Sequence, residues 1–293
     1  NLTALFILSE IEKGFPIAVL EGTLASNIRV GAMGALAAKH FAPAEARVIG
    51  FIGSGEQAKM HLLAMKTVRP TLVECRVAAK TAEEERQFVR ELAPLVPDME
   101  LVTAGTDGAR AMEGADILVT ATSAQAPLLK AAWMKPGSFY SHVGGWEDEY
   151  AVAKQCQKIV CDDWETVKHR TQTLSRMYKD GELSDGDIHA NLDEVVAGDK
   201  PGREADDERV YFNAVGLAFV DVAIAQHPAE IGYFGVVAAY AHLTGNSIPV
   251  SIGTGSYPQA ARSYGEARMS STRMSRASSN ASSSSSPGTS GPS

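Results

Sequence analysis

Cysteine is scarce in this 293-residue chain: Cys75, Cys156 and Cys161 make no CxxC pair and have no histidines at metal-ligand spacing. The scarcity excludes a disulfide framework, argues against a metal site, and fits reduced thiols in a cytoplasmic protein. Long apolar runs are missing too. No stretch approaches the ~18 uninterrupted apolar residues of a membrane span, and Glu10, Glu12, Gly14 and Pro16 interrupt the start of the chain, where a signal peptide needs an apolar core. Positive charge is in deficit, with 27 Lys and Arg against 35 Asp and Glu and a net charge of −8 spread over short clusters. That balance disfavours nucleic acid and anionic membrane surfaces as partners and leaves a small molecule as the expected one.

What the chain does have is an ordinary globular composition, 45% hydrophobic and 21% charged, enough for one large or two medium domains. Apolar runs at 5–8 and 17–20 bracket Glu12-Lys13-Gly14 and predict an antiparallel hairpin, which needs a larger sheet to belong to. Residues 26–41, rich in Ala, Leu and Met, predict a helix with Ser26 as N-cap that stops before Pro43, where a domain boundary is expected. From Arg47 onward, apolar runs of strand length at 48–52, 71–78, 100–103, 116–121, 138–143 and 158–161 alternate with helical stretches at 57–68, 82–95 and 108–113. This alternation predicts an α/β fold, a doubly wound parallel sheet built from two βαβ halves. Residues 164–226 read as helical, broken at Gly181, Gly186 and the polar loop 198–207, with a strand turning into an apolar helix from Val210. Residues 228–262 lack clean periodicity, and the serine-dominated stretch 270–293 predicts disorder. The expected division is 1–42, 43–163, 164–227 and 228–293.

The segment Gly50-Phe51-Ile52-Gly53-Ser54-Gly55-Glu56-Gln57-Ala58 follows an apolar strand and opens a helix, the context in which a glycine pattern gains meaning. Gly53 permits a tight turn, Gly55 lets backbone approach a pyrophosphate, and Ala58 allows close helix packing. The helix start, with Glu56 and Gln57, offers unpaired N–H groups and a dipole that suit an anion. Together these residues predict a Rossmann-type dinucleotide site for NAD or NADP. A site preferring NAD usually places an acid at the end of the second strand. Here Ala78-Ala79-Lys80-Thr81 stands there, and Lys80, with Arg76, suits a 2′-phosphate. Lys80 as the start of a solvated helix face is the plainer alternative.

As a set, these residues resemble the ornithine cyclodeaminase and μ-crystallin family. The match comprises Asn27-Ile28-Arg29-Val30-Gly31-Ala32, the glycine turn, residues 116–123 with Thr120-Ala121-Thr122, and Phe212-Asn213-Ala214-Val215-Gly216-Leu217. The resemblance implies a nucleotide domain inserted in a partial α+β domain that binds substrate and builds a homodimer. It implies that Arg29 reaches the cofactor phosphates, that Thr122 lies near the nicotinamide ribose, and that Val143-Gly144-Gly145 passes beside the nicotinamide. A guanidinium also fits phosphate on chemistry alone. The stretches 142–150, 162–170, 174–178 and 200–204 resemble the branch that oxidises N-(2-amino-2-carboxyethyl)-L-glutamate with NAD, releasing 2,3-diaminopropionate and 2-oxoglutarate. Alternatives within the family are a non-catalytic NADPH-binding protein in the manner of μ-crystallin, an ornithine cyclodeaminase and a cyclic imine reductase.

Cyclodeaminases carry an aspartate just after the paired glycines, where this chain has Trp146. The family's substrate domain starts about a hundred residues, a domain's length, before the glycine turn, against about fifty here. The arginine and lysine that hold the substrate carboxylate are therefore expected outside this N-terminally truncated chain, and little turnover is expected of it. The family pattern also fails after Gln226.

Oxidation at a carbon–nitrogen bond of an amino acid derivative needs a hydride acceptor and groups that manage protons and water. Glu147, ahead of Asp148 and Glu149, is the expected base; three helix N-terminal acids placed for the dipole are the alternative. His142 is a candidate proton shuttle. Lys168, with His169, Arg170 and Arg203, forms a basic cluster suited to a dicarboxylate, or else a solvated helix face. Asp221 is a candidate contact to cofactor or substrate, and Trp133, Trp146 and Trp164 read as core or interface aromatics.

Overall fold

The computed structural model describes residues 4–9, 12–217 and 220. Strands β1 (Leu5–Ser9) and β2 (Pro16–Glu21) pair antiparallel as expected. Among the described residues no further strand joins them, and Leu5, Ile7, Phe15 and Val19 are exposed. Helix α1 (Thr23–Phe41) starts earlier than expected, with Gly22 as its N-cap; Ser26, the expected cap, sits inside the helix, where its hydroxyl accepts from Arg29 Nη2.

From there the chain alternates strand and helix: β3 (Val48–Ile52), α2 (Glu56–Val68), β4 (Glu74–Ala78), α3 (Ala82–Leu92), β5 (Glu100–Thr103), α4 (Gly108–Met112) and β6 (Ile117–Thr120). A second series follows: β7 (Gln125–Leu129), β8 (Phe139–His142), β9 (Trp146–Asp148), α5 (Tyr150–Lys154), β10 (Lys158–Cys161), α6 (Trp164–Lys168), α7 (Thr173–Lys179), β11 (Ala190–Asn191), α8 (Leu192–Ala197) and β12 (Val210–Asn213). Eight of these strands form one sheet in the order β11-β10-β12-β8-β6-β3-β4-β5, every neighbouring pair parallel. β7 and β9 pair separately.

Parallel strands need crossovers, and the crossovers cover both faces of the sheet. Ile117 and Val119 of β6, Phe139 of β8 and Phe212 of β12 join one core with α1, α2, α3 and α8. Their neighbours Leu118, Tyr140 and Tyr211 join the other, with α4 to α7. Burial on both faces is why the strands read as unbroken apolar runs. Winding reverses between β3 and β6, so the crevice beyond the carboxyl ends of those two strands is where such a sheet takes its ligand.

Past residue 163 the structure is less helical than the sequence suggests. β11 and β12 carry the sheet onward between short helices. β12 is the strand expected from Val210, whereas β11, two residues long, is too short for any alternation to reveal it. The apolar helix expected after Val210, Asp221 and residues 228–293 lie outside the described residues. Among the described residues no helix is long and apolar enough to cross a membrane.

Candidate functional site

After β3 the chain turns at Gly53, whose φ of +106° favours glycine. A Cβ there would collide with the Ala121 carbonyl beyond β6, so the turn presses directly on the loop across the crevice. Gly55 is the opposite case: among the described residues nothing lies within 4 Å of the place its Cβ would take. It precedes α2 without any side-chain cap, which leaves the first N–H groups of α2 facing open space. Glu56 starts the helix but does not leave bare negative charge there, because Lys59 Nζ sits 2.6 Å from it and also pairs with Glu91. Burial pushes Lys59 down, and the two carboxylates more than reverse it. An open, uncapped helix start approached by glycine is a fit for a pyrophosphate.

Arg29 stands on α1, which crosses α2 backbone to backbone. A Cβ on Gly31 would stand 2.7 Å from the Met60 carbonyl carbon, and one on Gly34 would stand 2.6 Å from the His61 ring. At that separation Gln57 Nε2 donates to Asn27 Oδ1 at 2.8 Å, tying α1 to the glycine turn. The buried Arg29 guanidinium lies against Gly216, where a Cβ would be 3.0 Å from Nη1. Asp162 shapes that stretch: its carboxylate accepts the N–H groups of Asp163, Val215 and Gly216 at 2.8–3.0 Å. Burial raises its pKa against the pull of those donors.

On the far side of the crevice, Glu147 fastens two loops together. Fully buried, its Oε1 accepts from Thr122 N at 2.5 Å and Thr122 Oγ1 at 2.6 Å, while Oε2 accepts from Gly144 N at 2.7 Å and Thr120 Oγ1 at 2.8 Å. A Cβ on Gly144 would stand 2.5 Å from that carboxylate. His142 braces the same loop. Gln172 Nε2 donates to the carbonyls of Gly144 and Ala214, so Gln172 Oε1 accepts from Asn213 Nδ2. That leaves Asn213 Oδ1 facing His142 Nδ1, 2.7 Å away, while His142 Nε2 lies 2.9 Å from the Gly145 carbonyl. Beneath them Asp148 Oδ1 accepts from Thr173, Tyr211 and Tyr140, and Oδ2 has no hydrogen-bond partner among the described residues. Burial lifts Asp148 to about 6, opposed by His142 and the hydroxyls.

Of the expected cofactor residues, Arg29, Gly53, Gly55, Glu56, Gln57, Thr120, Ala121, Thr122, Val143 and Gly144 lie at the carboxyl ends of β3, β6 and β8 or on α1 beside them. Lys80 is exposed just after β4, and Thr81 caps α3 by accepting the Glu84 N–H. Arg76 is committed elsewhere, to Glu74 and the Glu113 carbonyl, so it does not join Lys80. Glu147 and Asp148 are not acids of a helix start but lie in β9, where Glu147 has both oxygens engaged; Glu149 does stand at a helix start, as the N-cap of α5.

The expected basic cluster does not form one site. Lys168 pairs with Glu165 at 2.6 Å and Asp185 at 3.2 Å above the rings of Trp164 and Tyr178. Arg203, half-buried, donates to the carbonyls of Phe41, Gly137, Ala205 and Glu208, which makes it a brace between α1 and the 198–208 loop. The three cysteines are free, and burial pushes the Cys156 thiol up to about 12. Asp162 and Asn213 stood out only within stretches of family resemblance, and Gln172 not at all, because each acts on backbone or side chains far along the chain.

The profile of the ornithine cyclodeaminase/mu-crystallin family matches residues 1–230. The alanine dehydrogenase of Archaeoglobus fulgidus is 35% identical over 231 residues, 77% of this chain and 69% of that one. The N-((2S)-2-amino-2-carboxyethyl)-L-glutamate dehydrogenase of Staphylococcus aureus is 28% identical over 76% of this chain and 66% of its own length. Among solved structures, the Delta(1)-pyrroline-2-carboxylate reductase of Thermococcus litoralis, in complex with NADH and L-proline, superposes with a TM-score of 0.72 at 30% identity, covering 83% of this chain and 73% of its own. An archaeal alanine dehydrogenase dimer with bound NAD gives 0.68 at 34% identity, covering 84% and 72%. With its sequence profile, its doubly wound sheet and its glycine turn all in agreement, the chain belongs to the ornithine cyclodeaminase/mu-crystallin family and carries that family's NAD(P)-binding oxidoreductase fold.

Proposed function

We propose that this chain is an NAD(P)-dependent oxidoreductase acting at a carbon–nitrogen bond of an amino acid derivative, with N-(2-amino-2-carboxyethyl)-L-glutamate as its substrate. The observation that carries the reading is the meeting, at one switch point, of the open start of α2, Arg29 and the two loops held by Glu147. The relative in Staphylococcus aureus that bears this activity in its name, and the stretches that resemble its branch, support the substrate.

When bound, the nicotinamide supplies the hydride acceptor. The chain's own part is positional. Arg29 and the first turn of α2 hold the pyrophosphate, and Thr122 and Gly144 set the nicotinamide end, with Glu147 and His142 keeping their backbone in place. Lys168 serves the packing of α6 on α7. A cytoplasmic homodimer is the proposed assembly, supported by the dimeric archaeal neighbour and the three free thiols.

Lys80 favours a 2′-phosphate, while Glu83, Glu84 and Glu85 in the first turn of α3 oppose one, so the preference between NADH and NADPH is expected to be slight. Fluorescence titration with both nucleotides, on the chain and on Lys80→Ala, tests this. NADPH affinity should fall in the variant and NADH affinity should not; binding of neither nucleotide would end the proposal. Product analysis after incubation with NAD and the amino acid conjugate, against L-alanine and L-proline, tests the substrate.

A further inference from the structure

We propose that Arg176 and Trp146 form a carboxylate-recognition subsite beside the nicotinamide loop, which selects substrates carrying a carboxylate beyond that of a simple amino acid. The proposal rests on the reading of the Gly144 loop as the nicotinamide end of the site. Trp146 directly follows Gly145 and stands in register with Gln125, so it belongs to the edge formed by the loops after β6 and β8. Gln172, the residue before α7, donates to Gly144 O; Arg176 stands four residues on, on the same face of that helix.

The Arg176 guanidinium carbon lies 4.6 Å from the centre of the Trp146 ring. Stacking occupies the flat face of a guanidinium and leaves the N–H groups around its edge free to grip a carboxylate with two bonds. Those groups are largely uncommitted: Nε donates to the Thr171 carbonyl at 3.1 Å, and neither Nη pairs with any described residue. The nearby Asp180 carboxylate accepts from Tyr150 OH instead. Trp146 adds a second sign, since its Nε1 is buried and has no acceptor among the described residues. An indole N–H without a partner at the edge of a ligand site is a cost that a ligand oxygen removes. Glu147, the residue after Trp146, has both oxygens taken by other donors and so does not claim the guanidinium. With two donors of this kind, the subsite takes an anionic oxygen pair. A dicarboxylic 2-oxo acid, or a conjugate containing one, satisfies it; alanine and proline have no group to offer.

Isothermal titration of the NADH-loaded chain with 2-oxoglutarate and glutarate, and with pyruvate and acetate as single-carboxylate probes, tests the assignment. The dicarboxylates are expected to bind about tenfold or more tightly than the single acids. Arg176→Ala should abolish that difference while NADH affinity and the far-ultraviolet circular dichroism spectrum stay as they were. Arg176→Lys should restore part of it, since an ammonium keeps the charge without the planar fork. Equal affinity for both kinds of probe, or an unchanged preference in Arg176→Ala, overturns the subsite. Failure of NADH to bind counts against the dinucleotide reading instead; the same probes are then compared on the chain without cofactor, so each idea stands or falls on its own result.

Discussion

Replacing Glu147 by glutamine separates two roles that sequence alone leaves mixed. The change keeps size and shape and removes the charge, so a general base would lose turnover with stability and cofactor affinity intact. The observed geometry predicts otherwise. One carboxylate oxygen faces the Thr122 N–H and hydroxyl, and the other faces the Gly144 N–H and the Thr120 hydroxyl. Whichever way the amide is turned, its NH2 meets a fixed backbone N–H. Stranding one buried N–H costs about 1–3 kcal/mol, and the bonds that survive lose charge assistance worth roughly 1 kcal/mol more, for a total of about 3 kcal/mol. Urea unfolding followed by circular dichroism should show the midpoint fall with the slope unchanged. NADH affinity should fall in parallel, because the Thr122 and Gly144 loops come apart. A variant that unfolds within about 0.5 kcal/mol of the parent, the scatter of a neutral surface change, and binds NADH equally well refutes the clamp.

Gly55→Ala should leave the thermal midpoint unchanged, since the added methyl meets no atom of the described residues, yet weaken NADH about tenfold or more by standing where phosphate approaches. An unaltered affinity would put the pyrophosphate elsewhere. Gly31→Ala should do both kinds of damage: overpacking against the Met60 backbone costs about 1–3 kcal/mol, and Arg29 and Asn27 move away with α1, which calorimetry and nucleotide titration together would register. Two buried groups give opposite pH slopes. Asp148 sits at about 6 instead of 3.8, so stability present in full below pH 3.8 is lost as pH rises through 6. His61 sits at about 4 instead of 6.5, so stability present above pH 6.5 is lost as pH falls through 4. Each is on the order of 3 kcal/mol. Urea midpoints between pH 4 and 8 should show Asp148→Asn gaining on the parent toward high pH and His61→Gln gaining toward low pH; slopes of the same sign in both variants contradict the assignment.

What could be read in the sequence was local. The strands β3 to β6, β8 and β10 are apolar runs bounded by turns, and the glycine turn carries its whole meaning within nine residues. Partnerships across the chain were invisible. Asp162 shapes a turn more than fifty residues later through backbone N–H groups that any sequence would supply. Arg203 looked like a substrate cation because carbonyl acceptors leave no trace in composition. Glu147 stood out in the sequence as a candidate base, yet whether an acid there is exposed or surrounded by four donors depends on how two loops close over it. The Asp162-Asp163-Trp164 stretch did stand out by resemblance, and it is the one advance signal that pointed toward Asp162.

β12 lies between β8 and β10, although both of those strands precede it by dozens of residues. As the chain leaves the ribosome, β8 and β10 therefore each hold an unpaired edge until residues 210–213 arrive to fill the gap. The same four residues deliver Tyr211 to Asp148 and Asn213 to His142. The half-built sheet thus exposes both a pairing edge and an unsatisfied polar interior, and a ribosome stalled before residue 210 should yield a nascent chain that is far more readily cleaved by protease than one stalled well beyond residue 213.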